Sequence, residues 1–139
     1  MDGLAFLSSL DPNDPMPMAR HFGFHIAGFE YGNVTASATP EPTHANPFQV
    51  AQGGFAATVL DIALGLVSIS VLTGNAESVA TTDLSVRYLR SIRGEAEPMT
   101  ITASAVHVGR KIVVAESRLL DSSGLLCALA HSTSLIVRP

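Results

Sequence analysis

Asp61 is the only ionisable residue between Phe55 and Leu72, a run of 18 otherwise apolar, small or hydroxyl side chains. Read as a helix over about 53–72, that run sets Gly54, Thr58, Asp61, Gly65 and Ser68 at steps of four, three, four and three, on one stripe. A carboxylate among small neighbours has room beside it for a reacting group. Ionised, it can serve as a nucleophile or as a general base. Just before the helix, Asn46-Pro47-Phe48-Gln49-Val50-Ala51-Gln52 leads into Gly53-Gly54. The first N–H groups of a helix have no intrahelical acceptor, and glycine lets a ligand approach them closely. Such donors suit a developing oxyanion. Asp61 lies eight residues beyond Gly53, about 12 Å along the axis. The same features also fit plain helix packing through small residues, with Asp61 held by a local hydrogen bond.

The elements that must position these groups follow from the pattern. The segment 1–22 is interrupted by Pro12, Pro15 and Pro17, so short helices and turns are expected there. Phe24 to Thr39 reads as an extended hairpin turning at Gly32-Asn33. Pro40 to Gln52 reads as a loop, because Pro40, Pro42 and Pro47 do not suit a central strand. The helix should stop before Thr73-Gly74-Asn75. Ser78 to Leu89 then alternates, with Thr82, Leu84, Val86 and Tyr88 on one side and Thr81, Asp83, Ser85 and Arg87 on the other. Thr100–Val108 and Lys111–Leu120 are expected to pair across a tight turn at Gly109-Arg110, and Leu125–Val137 follows a turn at 121–124. One long helix plus antiparallel strands of similar length, about 30 Å, is an α+β layout. The helix is apolar almost all round, so a curved sheet must wrap it. All 139 residues are expected to form one domain.

Composition narrows the function. Hydrophobic residues make up 47% of the chain and charged residues 14%, against about 25% charged in typical soluble chains. A surface this poor in charge points to burial in a homo-oligomer. The net charge is −4 and no basic run occurs, which argues against a nucleic-acid binder. Phe55–Leu72 reaches the lower length for a membrane span. A mid-helix Asp without flanking basic residues favours a buried helix instead, so no membrane partner is expected. The lone Cys127 fits a reducing compartment, and an acid at Asp2 does not suit a secretion signal; a cytoplasmic location is expected. His21, His25, His44, His107 and His131 lack metal-ligand spacing, and no phosphate loop or dinucleotide fingerprint occurs, so neither metal nor cofactor is expected.

Three features taken together resemble the hotdog-fold thioesterases, most closely the PaaI-like acyl-CoA thioesterases. They are Asn46 followed by Gln52-Gly53-Gly54 and then Leu60-Asp61; the strand from Thr81 to Arg90; and the hairpin Val108-Gly109-Arg110-Lys111. The resemblance spans about residues 20–137 and implies a curved antiparallel sheet around one central helix. It implies that Asp61 attacks the thioester or activates water, and that the Gly53 N–H binds the oxyanion. Asn46 would sit near the attacking group, and Thr81 would reach the site from a partner subunit. CoA would be held near Gly54, Arg90, Gly109, Arg110 and Lys111. Homodimers, often paired into tetramers, are implied too. Gln52 departs from the family, which commonly has His there; Gln donates a hydrogen bond but does not titrate. The expected function is hydrolysis of an acyl-CoA to a carboxylate and free CoA. The alternative is a hotdog module that binds acyl-CoA or only assembles, which Gln52 favours and Asp61, Asn46 and Thr81 oppose.

Overall fold

The computed structural model describes residues 1–74, 76–93 and 97–139. Two short helices, α1 (Gly3–Ser8) and α2 (Pro17–Arg20), precede a hairpin of β1 (His25–Glu30) and β2 (Asn33–Ala38). A single 3-10 turn, Pro42–His44, interrupts the proline-rich loop. The long helix α3 (Gly53–Ser70) follows, and then β3 (Ser78–Tyr88), β4 (Met99–Val108), β5 (Ile112–Leu120) and β6 (Leu126–Val137). All pairings are antiparallel, in the order β1-β2-β4-β5-β6-β3. β3 is therefore an edge strand although it follows the helix directly.

The helix is wrapped as its composition requires. Its large side chains, among them Phe55, Val59, Leu60, Leu64, Leu66 and Val67, are buried. The sheet meets them largely with alanines: Ala36, Ala38, Ala103, Ala115, Ala128 and Ala130 are all buried. Small residues on the concave face let the backbone curve close around a helix of large ones. The helix has the length and hydropathy of a membrane span, but the sheet covers most of it. It ends at Ser70, two residues earlier than its apolar run suggests. There the Ser70 hydroxyl donates to the Val67 carbonyl (2.6 Å) and accepts from the Gly32 N–H (2.9 Å), tying the β1–β2 turn to the helix. Of the turn expected at Thr73-Gly74-Asn75, Asn75 lies outside the described residues.

The alternation expected along β3 breaks once. Thr81 pairs with Ser134 and Asp83 with Thr133, so Thr82 is an extra residue in a bulge. The bulge resets the facing. Thr81 shares the face of Ser134, while Leu84 and Val86 share the face of Ser132 and Ala130, all three of which are buried. Thr81, Leu84, Val86 and Tyr88 thus lie on the helix side together, and Thr81 is not opposed to the others as strict alternation implies. The β4–β5 hairpin turns over three residues, Gly109–Lys111, one more than expected.

α1 is joined to the far end of α3. The Gly3 N–H donates to the Leu72 carbonyl (2.9 Å), and a Cβ at Gly3 would sit 1.7 Å from the Ile69 carbonyl oxygen. Gly3→Ala must push the two helices apart, a cost of about 1–3 kcal/mol for overpacking of this kind. Thermal unfolding should show a Tm several degrees lower for the variant. An unchanged Tm would mean that the junction does not support the fold.

Candidate active site

The stripe expected on α3 is open as far as Gly65. Gly54 is exposed, and Thr58, Asp61 and Gly65 are partly exposed, among residues that are otherwise mostly buried. Ser68 departs from it. It is fully buried with its hydroxyl turned back onto the Leu64 carbonyl (2.9 Å), a common way for a helical serine to satisfy itself. The open line continues through Ile69 instead.

Asp61 is half-buried, and loss of hydration raises its pKa above the ordinary carboxylate value. The Thr81 hydroxyl works in the opposite direction, stabilising the ionised form by hydrogen bonding. The partner is Thr81 of the same chain, brought there by the bulge at Thr82. The family resemblance implied a Thr81 from a partner subunit. Within the single chain, the extra residue in β3 turns Thr81 onto the face of its own helix.

Two turns away, the helix start is built from the loop. Asn46 N–H donates to the Val50 carbonyl (2.7 Å), and the Asn46 side-chain oxygen accepts from the N–H groups of Phe48 (2.9 Å) and Val50 (3.3 Å). Gln49 takes a positive φ of 63° within that turn. Ala51 N–H donates to the Ile92 carbonyl (2.6 Å), and Gln52 N–H to the His44 carbonyl (2.8 Å). His44 forms a three-ring cluster with Phe22 and Phe55. Its Nδ1 accepts from the Glu41 N–H, so its Nε2 carries the proton toward the His21 carbonyl. This His44 is a structural post under the loop.

These contacts leave the N–H groups of Gly53 and Gly54 without an acceptor among the described residues, and the Gln52 side chain is exposed with no capping bond. The Asn46 oxygen is committed to its own loop. Any role of Asn46 toward a substrate therefore falls to its amide donors.

Tyr88 was not singled out as a site residue from the sequence. Its hydroxyl donates to the Gly53 carbonyl (2.8 Å), and a Cβ at Gly53 would lie only 3.2 Å from that hydroxyl oxygen. A Cβ at Gly53 would therefore be a tight fit against the Tyr88 ring, while nothing lies within 4 Å of a Cβ at Gly54. No local motif announces Tyr88; the contact depends on which strand pairs at the sheet edge. Gln52, Gly53, Tyr88 and Arg90 line one cavity of about 360 Å³. Arg90 is therefore brought to the helix start. Gly109, Arg110 and Lys111 are not. Their hairpin adjoins Leu135 and Ile136, opposite the beginning of β3, whereas Arg90 follows its end. Ten strand steps of about 3.3 Å separate those ends. Cys127 is buried, and burial raises its thiol pKa, as for a small core residue.

The raised carboxyl has a consequence for stability. A group with a higher pKa in the folded chain than in the unfolded one binds protons more readily when folded. Its ionisation costs stability above the folded pKa, and that cost disappears as pH falls below the unfolded value of about 3.9. Asp61→Asn should therefore unfold at a higher Tm than the parent at pH 8, with the gap closing toward pH 4. A lower Tm for the variant at pH 8 would mean that the ionised carboxylate stabilises the fold.

Comparison with known proteins agrees with this architecture. Residues 48–128 match the family model described as the thioesterase superfamily. Over 135 residues, covering 87% of this chain and 86% of the relative, the sequence is 28% identical to the medium/long-chain acyl-CoA thioesterase YigI of Escherichia coli K12. The fold is similar to smu.793 of Streptococcus mutans UA159 bound to acetyl CoA, with 27% identity and a TM-score of 0.75, over 82% of this chain and 88% of that one. It is also similar to the PaaI protein of the Escherichia coli phenylacetic acid degradation operon, with 19% identity and a TM-score of 0.81, over 88% and 86% of the two chains.

Proposed function

The chain belongs to the thioesterase superfamily, a family of thioester hydrolases with the hotdog fold, and we propose that its substrate is an acyl-CoA, with Asp61 as the reacting carboxylate. One observation carries this reading. The only ionisable group on α3 stands on the helix's open line, half-buried, with Thr81 against it, on the same helix whose first N–H groups are free. The names of the relatives support the substrate class, since YigI acts on medium- and long-chain acyl-CoA and smu.793 binds acetyl CoA.

Hydrolysis needs an electrophilic carbonyl held by a donor and attacked by an oxygen. A donor must lie about 2.7–3.1 Å from the oxyanion, and the attacking atom about 3–3.5 Å from the carbon. Gly53 and Asp61 of one chain are about 12 Å apart along the axis. One carbonyl does not reach both. A second copy resolves this. β3 is an uncovered edge whose residues Leu84, Tyr88 and the following Leu89 are 38%, 55% and 54% exposed. Two such edges pairing about a two-fold axis run antiparallel, so the two α3 helices do too. With the axis near the middle of β3, the Gly53 end of one chain faces Asp61 of the other, and the Gly109–Lys111 hairpin of one approaches Arg90 of the other. Two sites per dimer result. Arginine and lysine there suit the phosphates of CoA. The lone thiol suits a cytoplasmic location.

In this scheme the Gly53 N–H polarises the thioester carbonyl, Gln52 orients it from the mouth, and Asp61 attacks directly or takes a proton from water. If Asp61 attacks, the CoA thiolate leaves an acyl–aspartyl anhydride that water then hydrolyses; if Asp61 takes a proton from water, the hydroxide adds to the carbonyl, the CoA thiolate leaves and that proton passes to it. Gln52 supplies direction without charge, so the acid side of the pH profile belongs to Asp61.

Thiol release over acyl-CoAs of two to sixteen carbons tests the reading. Asp61→Asn should lose at least about 10²-fold in kcat, the scale of a removed general base. Gln52→Ala should lose about two- to tenfold in kcat/KM, the worth of one neutral hydrogen bond. The parent's kcat/KM should fall at low pH with a midpoint above the ordinary carboxylate value, because burial raises Asp61. Near-normal turnover by Asp61→Asn would assign the chemistry elsewhere. No turnover on any acyl-CoA, with CoA still bound, would favour the non-catalytic binding module.

A further inference from the structure

The sheet face under α3 is apolar over most of its extent, and three buried serines interrupt it: Ser117 on β5, and Ser132 and Ser134 on β6. Ser117 settles its hydroxyl on the Leu60 carbonyl of the helix (3.4 Å). The hydroxyls of Ser132 and Ser134 have no hydrogen-bond partner among the described residues, although the two residues are only 2% and 1% exposed. A buried hydroxyl left unpaired has lost its water and gained nothing in return, so each such group in a folded chain calls for an account.

Strand register separates the two. Ser132 lies between Leu84 of β3 and Ala115 of β5, which offer no side-chain acceptor. Ser134 lies between Val113 of β5 and Thr81 of β3. Residues paired across antiparallel strands share a face with Cβ atoms about 4.5–5.5 Å apart, and threonine and serine at that spacing form hydrogen bonds. Rotation about χ1 of Ser134 moves its hydroxyl among the staggered positions. The Thr81 hydroxyl gives its proton to Asp61 and keeps its lone pairs free to accept. The bulge creates this neighbourhood. Without the extra residue, the register that sets Leu84 opposite Ser132 would set Thr82, not Thr81, opposite Ser134.

Resting on the reading of Asp61 given above, we propose that Ser134 is a positioning residue: its buried hydroxyl donates to the Thr81 oxygen, and Thr81 in turn donates to Asp61. The donors run one way, from the sheet interior to the carboxylate, and each bond polarises the next. With a lone pair engaged by Ser134, the Thr81 hydroxyl is held with its proton toward Asp61 instead of turning to a backbone carbonyl, as lone serine and threonine hydroxyls readily do. One carboxylate oxygen is thereby fixed, and the other is left for the thioester or for water. Ser134 acts only through Thr81 and touches no substrate atom, so its effect belongs to kcat and not to KM.

Carbon-13 labelling of the aspartate carboxyl groups gives a readout that needs no turnover, with the Asp61 signal identified by its loss in Asp61→Asn. At one fixed pH, Ser134→Ala should shift that signal in the same direction as Thr81→Val does. It should also lower kcat about two- to tenfold, the worth of one neutral hydrogen bond, with KM unchanged. Ser132→Ala removes a hydroxyl buried alike but without such a neighbour, and should change neither signal nor kcat. In a Thr81→Val background, Ser134→Ala should add nothing to either. Ser134→Thr, which keeps the hydroxyl, should retain the parent's values. If Ser134→Ala folds poorly, Ser134→Cys, close in size and a weaker donor, takes its place. Equal effects of Ser134→Ala and Ser132→Ala, or a Ser134→Ala loss undiminished without the Thr81 hydroxyl, would overturn the proposal. An Asp61 signal that depends on Ser134 in a protein that hydrolyses no thioester would remove the catalytic reading and keep the relay. Hydrolysis that depends on Asp61, with a signal indifferent to Ser134, would keep that reading and overturn the relay.

Discussion

An 18-residue helix that is apolar almost all round must be covered almost all round, and every other feature of this molecule follows from how that is done. The sheet curves around α3 because its concave face is rich in alanine, and the coverage stops at the edge strand β3. The gap left there exposes the one line of the helix that carries small residues and Asp61. The same incomplete wrapping that leaves the carboxylate partly exposed also leaves apolar side chains of β3 exposed. Burial of the core and exposure of the site are one constraint seen from two sides.

The site is held under opposing demands. Partial burial raises the Asp61 pKa and makes its ionised form costly, while Thr81 offsets part of that cost. A carboxylate less solvated than usual is a better nucleophile or base, which is the property the proposed role of Asp61 requires. At the other end of the helix the demand is geometric. Loop bonds to His44 and Ile92 fix the chain entering α3, and Tyr88 packs closely on Gly53, so the N–H groups that lack an acceptor among the described residues point from a braced frame.

Much of this was legible in the sequence. The apolar run announced the helix, and the glycine pair marked its start. Prolines, glycines and alternation outlined the six strands to within a residue or two. The bulge at Thr82 was not legible, because a strand with threonine on both faces carries no hydrophobic register to reveal an added residue. Strict alternation therefore faces Thr81 away from its own Asp61 unless a bulge intervenes, and the bulge at Thr82 does. Ser68 was placed on the open stripe by spacing alone, but spacing does not say where sheet coverage ends. Tyr88, and the separation of Arg90 from the Gly109–Lys111 hairpin, depend on β3 crossing to the far edge beside β6, a long-range pairing that no local pattern encodes.

The central claim is that each site takes its carboxylate from one chain and its donor end from another. It is tested most directly by mixing inactive subunits under conditions that allow exchange. Asp61→Asn and Gly53→Val disable opposite halves, so a hybrid dimer holds one intact site, and the random mixture should recover about a quarter of the parent activity. Asp61→Asn mixed with Thr81→Ala should recover none beyond the residual activity of either variant, because both residues belong to the same half. Recovery in the second mixture but not the first would contradict the account, and no recovery in either, with exchange demonstrated, would place the whole site within one chain.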